Sequence, residues 1–167
     1  MDKEGIVKSH IDQRPSWLVD IAISGLNVGV VGVDGEEYAY TIVESTKMPN
    51  TILYGVGFPD GDISKLFIAN NVPKLSVDLY LRHEIREFRQ LSELPQEERC
   101  LASLKIELAE AKEQLSEAEM REYKIGRRAC FSSLVYEHYA TEESRVGLKP
   151  GQHQAMTNSI RYLKSLD

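Results

Sequence analysis

The chain predicts an α+β domain: a small, mostly antiparallel sheet from the N-terminal half, packed by three or four helices from the C-terminal half. Three observations carry this expectation. Up to Pro73 the apolar residues come in short β-branched and aromatic runs broken by Gly, Asn and Asp. Asp34-Gly35 separates two such runs, the pairing that a two-residue hairpin turn demands. Beyond Pro73 the apolar spacing changes to steps of three and four, the period of an amphipathic helix.

Taken in order, Trp17, Leu18, Ile21 and Ile23 form an apolar segment whose period fits either a short helix or a strand. Residues 28–33 read as a strand, and Tyr38, Tyr40 and Ile42 alternate beyond the Asp34-Gly35 turn. Residues 51–58 read as another strand, closed by Pro59-Asp60-Gly61. Residues 63–69 follow as a strand that ends at Asn70-Asn71-Val72-Pro73.

Ser76 or Asp78 then caps a helix whose inner positions are Leu79, His83, Glu87 or Phe88, and Leu91. Pro95 stops that helix and opens the next, where Gln96-Glu97-Glu98 complements the helix dipole. The second helix carries Leu101, Leu104, Leu108, Ala111, Leu115 and Ala118, a heptad seam. Such a seam either packs on its own domain or joins a homodimer or partner coiled coil. A third helical segment is expected over 127–143 after Gly126, with Phe131, Leu134, Val135 and Tyr139 facing inward. A loop at 147–151 and a closing helix over 154–166 complete the chain. Residues 1–167 thus read as a single domain. Residues 96–125 read as a helical insertion between the two histidine-bearing helices.

Composition narrows the function classes. At 167 residues the chain is long enough for one domain with a real core. Its net charge of -6 argues against nucleic acid, because Lys and Arg are scattered among acids. No stretch has the length of a membrane span, and Met1-Asp2-Lys3-Glu4 leads into no apolar signal region, so a cytoplasmic protein is expected. Cys100 and Cys130 lack a CxxC partner, and read as buried or half-buried thiols of a reducing compartment.

The chemistry concentrates at His83-Glu84-Ile85-Arg86-Glu87. His83 and Glu87 are four apart, so on a helix both reach one side and can share a divalent ion. Glu84, offset between them, is placed to act as general base on water. Zinc wants a third protein ligand. His138, on the face that holds Phe131, Leu134 and Val135, is the best one in the sequence, and Glu142 one turn on is an alternative ligand or a partner that orients it. The rival reading makes His83–Glu87 a surface pair and His138 a core histidine. His10 and His153 fall in apparent loops.

The order strand, turn, strand, then a helix bearing His83-Glu84-x-x-Glu87 resembles the core of zincin-like metallopeptidases. It is similar in particular to small prokaryotic metallopeptidases with an HExxE helix, with His138-Tyr139-Ala140-Thr141-Glu142 as the downstream counterpart. The resemblance covers about residues 51–143. It implies a metal-dependent hydrolase acting on peptide or protein, with His83, Glu87 and His138 as ligands of zinc or another divalent metal and Glu84 as the base. Glu87 replaces the usual second histidine, which lowers the net charge of the site. The alternative is a non-catalytic interaction or dimerisation protein built on the heptad helix.

Other enzyme classes find no support. There is no GxSxG elbow, and Gly25, Gly29, Gly32 and Gly35 form neither GxGxxG nor a Walker loop. None of the four histidines has Glu three residues before it, as a carboxylate-bridged di-iron bundle requires. Cys130 and His138 are two helical turns apart, too far for a thiolate–imidazole pair on one straight helix.

Overall fold

A computed structural model describes residues 29–47, 56–57, 66–140 and 150–167. The segment from Trp17 to Ile23, His10 and Glu142 lie outside them, as do most of the expected 51–58 strand and the start of the 63–69 strand.

The strands are β1 (Gly29–Val33), β2 (Glu36–Val43), β3 (Val56–Gly57) and β4 (Leu66–Ala69). They form one sheet in the order β1-β2-β4-β3. The β1–β2 and β3–β4 pairings are antiparallel, as expected, but the central β2–β4 pairing is parallel. The sheet is therefore mixed. Between these two parallel strands the chain passes through β3, which runs antiparallel to β4 and so reverses its direction. All four residues of β4 are buried, which matches its unbroken Leu-Phe-Ile-Ala run.

The hairpin forms as the sequence dictates. Asp34 has φ 51° and Gly35 φ 83°, the left-handed pair of a tight two-residue turn. Gly29 faces Tyr40 across the ladder, and a Cβ there would stand 2.4 Å from the Tyr40 ring. The glycine is what lets that ring lie over the neighbouring strand.

The helices are α1 (Val77–Ile85), α2 (Gln96–Gln114), α3 (Glu117–Ala140) and α4 (Pro150–Ser165). A π-helical turn, Arg86–Gln90, continues α1. Helix α1 packs against β1, β3 and β4 on one side and against α2 on another, while α4 lies along both α2 and α3. Leu79, Leu81, Ile85 and Leu104 are at most 1% exposed. Each such side chain contributes about 1.5–3 kcal/mol of burial free energy. No described helix is long and apolar enough to cross a membrane.

Three expectations about the helices change. The heptad seam does not run on one helix: α2 ends at Gln114, Leu115 is extended at φ -109° and ψ 146°, and Ala118 belongs to α3. The cause is local. Ser116 and Glu119 form a capping box, with Glu119 N–H donating to Ser116 Oγ at 3.2 Å and Ser116 N–H to Glu119 Oε2 at 2.8 Å. Second, α3 starts ten residues before the expected 127 and passes through Gly126, a cost of only about 1 kcal/mol in a helix this long. Third, His153 is on α4 rather than in a loop, and is half-buried. Leu104, Leu108 and Ala111 face their own domain core.

Candidate metal centre

His83 lies near the end of α1, where that helix is covered by α2, and it is fully buried. Ser103 Oγ of α2 donates to the His83 carbonyl oxygen at 2.8 Å, seating one helix on the other. Arg82 and Arg86 add a second clamp by binding Glu110.

Three donors converge at the ring. His83 Nε2 is 3.3 Å from Glu87 Oε2 and 3.7 Å from Cys100 Sγ. The ligand atoms of His83, Glu87 and Cys100 all lie within 4.8 Å of one another, so this group can hold a metal ion. The fit can be tested on the distances. A tetrahedral zinc with ordinary bond lengths sets its N···O and N···S edges at about 3.3 and about 3.6 Å. The observed spacings match both. Serine Oγ of Ser159, on α4, lies 3.3 Å from the same sulfur.

The other ring nitrogen is also engaged. His83 Nδ1 is 2.7 Å from Glu107 Oε2, an electrostatic contact rather than an aligned hydrogen bond. Glu107 is itself fully buried and receives the guanidinium of Arg127, with Nε 3.0 Å from Oε1 and Nη2 3.1 Å from Oε2. The Tyr123 hydroxyl donates to Oε1. Arg127 lies over the rings of Tyr80 and Phe131, 4.0 and 4.4 Å from their centroids. In metal sites a carboxylate behind the imidazole fixes which nitrogen ligates, and Glu107 stands in that position.

These contacts set the charges. Burial opposes ionisation of Glu107, but Arg127 first, then His83 and Tyr123, hold its pKa below the usual carboxylate range. Burial and the Arg127 charge disfavour a proton on His83, yet its contacts with Cys100, Glu107 and Glu87 prevail and raise its pKa well above that of ordinary histidine. Without a metal these contacts favour the protonated ring, which lies between the Glu87 and Glu107 side chains. A metal ion would take the place of the Nε2 proton. Burial, then the Glu87 charge, push the Cys100 thiol up, so it is a thiol until a cation binds it. Glu84, half-buried beside His83, is pushed up to about 8 by desolvation and by the Glu87 charge.

The structure thus joins two of the expected ligands, His83 and Glu87, and adds Cys100. His138 lies near the end of α3, and its side chain is outside the described residues, as is the whole of Glu142. Sequence reasoning missed Cys100, Glu107 and Arg127. A signal for the first two was present: Cys100, Ser103, Leu104, Glu107, Leu108 and Ala111 share one helical face. Two of the donors are sealed, whereas the Glu87 side chain keeps 19% exposure and marks the side open to solvent. Residues 96–125, expected as an insertion, supply Cys100 and Glu107 to this centre. Comparison of the chain with family models, with curated proteins and with solved structures gives no match.

Proposed function

We propose that this protein binds a divalent transition metal, zinc foremost, and uses it as a metal-dependent hydrolase. The observation that carries the reading is the convergence of His83 Nε2, Glu87 and Cys100, backed by Glu107 on Nδ1. A thiolate in the set favours zinc over magnesium or calcium. When bound, the ion supplies Lewis acidity. The Glu107 carboxylate, 2.7 Å from Nδ1, favours the proton on that nitrogen and would leave Nε2 for the ion. A cation bound beside Glu84 would favour its ionised form, and the carboxylate could then accept the proton of a water. Peptide as substrate rests on the resemblance of the His83-Glu84-x-x-Glu87 helix to that of zincin-like metallopeptidases.

A second reading has one observation in its favour. The raised pKa of His83 makes a metal-free imidazolium bridge between Glu87 and Glu107 a self-sufficient ionic core. In that case the protein is a non-catalytic interaction module.

Elemental analysis and cobalt substitution separate the two. The proposal expects about one zinc per chain, lost in His83→Ala. It also expects a thiolate-to-cobalt absorption band that disappears in Cys100→Ser. Glu84→Gln should keep the metal and lose hydrolysis of fluorogenic peptides. Folded protein that takes up no zinc or cobalt refutes the metal site. Metal uptake with peptide hydrolysis that survives Glu84→Gln refutes the role of Glu84.

A further inference from the structure

A groove opens where α2 breaks off at Gln114 and α3 begins, with the end of α4 as its third wall. Its floor is apolar, made by Leu108, Leu115, Met120 and Tyr162. Its rims are basic: Lys105 and Lys112 on α2, Arg121 and Lys124 on α3. Among the described residues, Glu117 is the one carboxylate that lines it.

Four cations around one apolar floor run against the character of the chain, whose net charge is -6. None of the four is in an ion pair among the described residues, although Arg82, Arg86, Arg127 and Arg128 all are. Lys105 instead lies over the Tyr162 ring, 5.3 Å from its centroid. Lys105 and Lys112 are seven apart, so they stand on one side of α2 about 10 Å along its axis. On the helical wheel they lie about 140° from Cys100 and Glu107. The groove is therefore independent of the metal centre.

We propose that this groove docks an acidic amphipathic helix of a partner protein. Charge complementarity selects the occupant. A helix with an apolar stripe and carboxylates on both flanks meets the floor and both rims together. A single fatty acid brings one carboxylate to four cations. A nucleic acid brings phosphates but nothing matched to Leu115 and Met120.

The test uses the full chain and a labelled helix-forming peptide with leucine on one face and glutamate on its flanks. Fluorescence anisotropy should report saturable binding that weakens with salt, and Lys112→Glu/Arg121→Glu should weaken it at least about tenfold. Both positions are exposed, so the variant is expected to keep the wild-type circular dichroism. A peptide with lysine in place of glutamate should not bind. The proposal is overturned if the acidic peptide fails to bind, or if the variant binds it as well as wild type. It is also overturned if oleate or an oligonucleotide of equal charge binds more tightly at the same residues.

Discussion

Glu107 has no solvent contact, and its three partners come from two helices: His83 on α1, and Tyr123 and Arg127 on α3. Breaking a buried ionic group of this kind by removing one partner costs about 3–5 kcal/mol, because the others stay buried without it. Glu107→Ala should therefore lower the urea-unfolding free energy by that amount. Arg127→Met should cost less in the Glu107→Ala background than alone, since the stranded cation is then gone. Additive losses would show that the two residues are not coupled. At this scale the sequence was half legible. His83 and Glu87 were readable because both sit on one helix, where spacing alone makes them neighbours. Cys100 and Glu107 could be placed on the apolar face of α2 but not beside His83, because their approach depends on how α2 lies across α1. In a glutamate-rich helix Glu107 also differs from Glu110 or Glu113 only by sharing the face of Leu104 and Ala111.

The elements were legible wherever a local signal decided them. Asp34-Gly35 fixed the hairpin, and Pro95 fixed the boundary before α2. The break between α2 and α3 was missed because the leucine spacing continues through it, while the capping box at Ser116 is stronger than the spacing. That assigns a measurable weight to one hydroxyl. Ser116→Ala should cost about 1 kcal/mol of stability, the usual worth of such a cap. Ser116→Thr should restore most of it. A neutral Ser116→Ala would mean that tertiary packing alone sets the break. The parallel β2–β4 pairing had no local signal at all, since strand direction is decided by the long connection and not by either strand's composition.

For the whole molecule, the candidate metal centre lies at a seam. Its donors come from α1 and its π turn on one side and α2 on the other, so an ion there would tie together segments 13 residues apart, from Glu87 to Cys100. A ligand that binds only the folded state stabilises it by about 2.7 kcal/mol at a free concentration of 100 times its Kd. For a chain of this size that corresponds to a rise in Tm of about 5–10 °C. Zinc should give such a shift in the wild type and a much smaller one in Cys100→Ser. Equal shifts in both would place the bound zinc elsewhere on the protein.

The π turn at Arg86–Gln90 has a consequence of another kind. It holds one residue more than an α-helical turn, a surplus of thread between two attachments. Upstream, Glu87 stands beside His83. Downstream, Gln90 donates to Asp34 at the tip of the hairpin, and Arg89 lies over the ring of Tyr38. One residue fewer would turn the downstream attachment by about 100° around the helix axis, away from the sheet. The donor pair and the hairpin are thus joined by a count of residues as well as by contact.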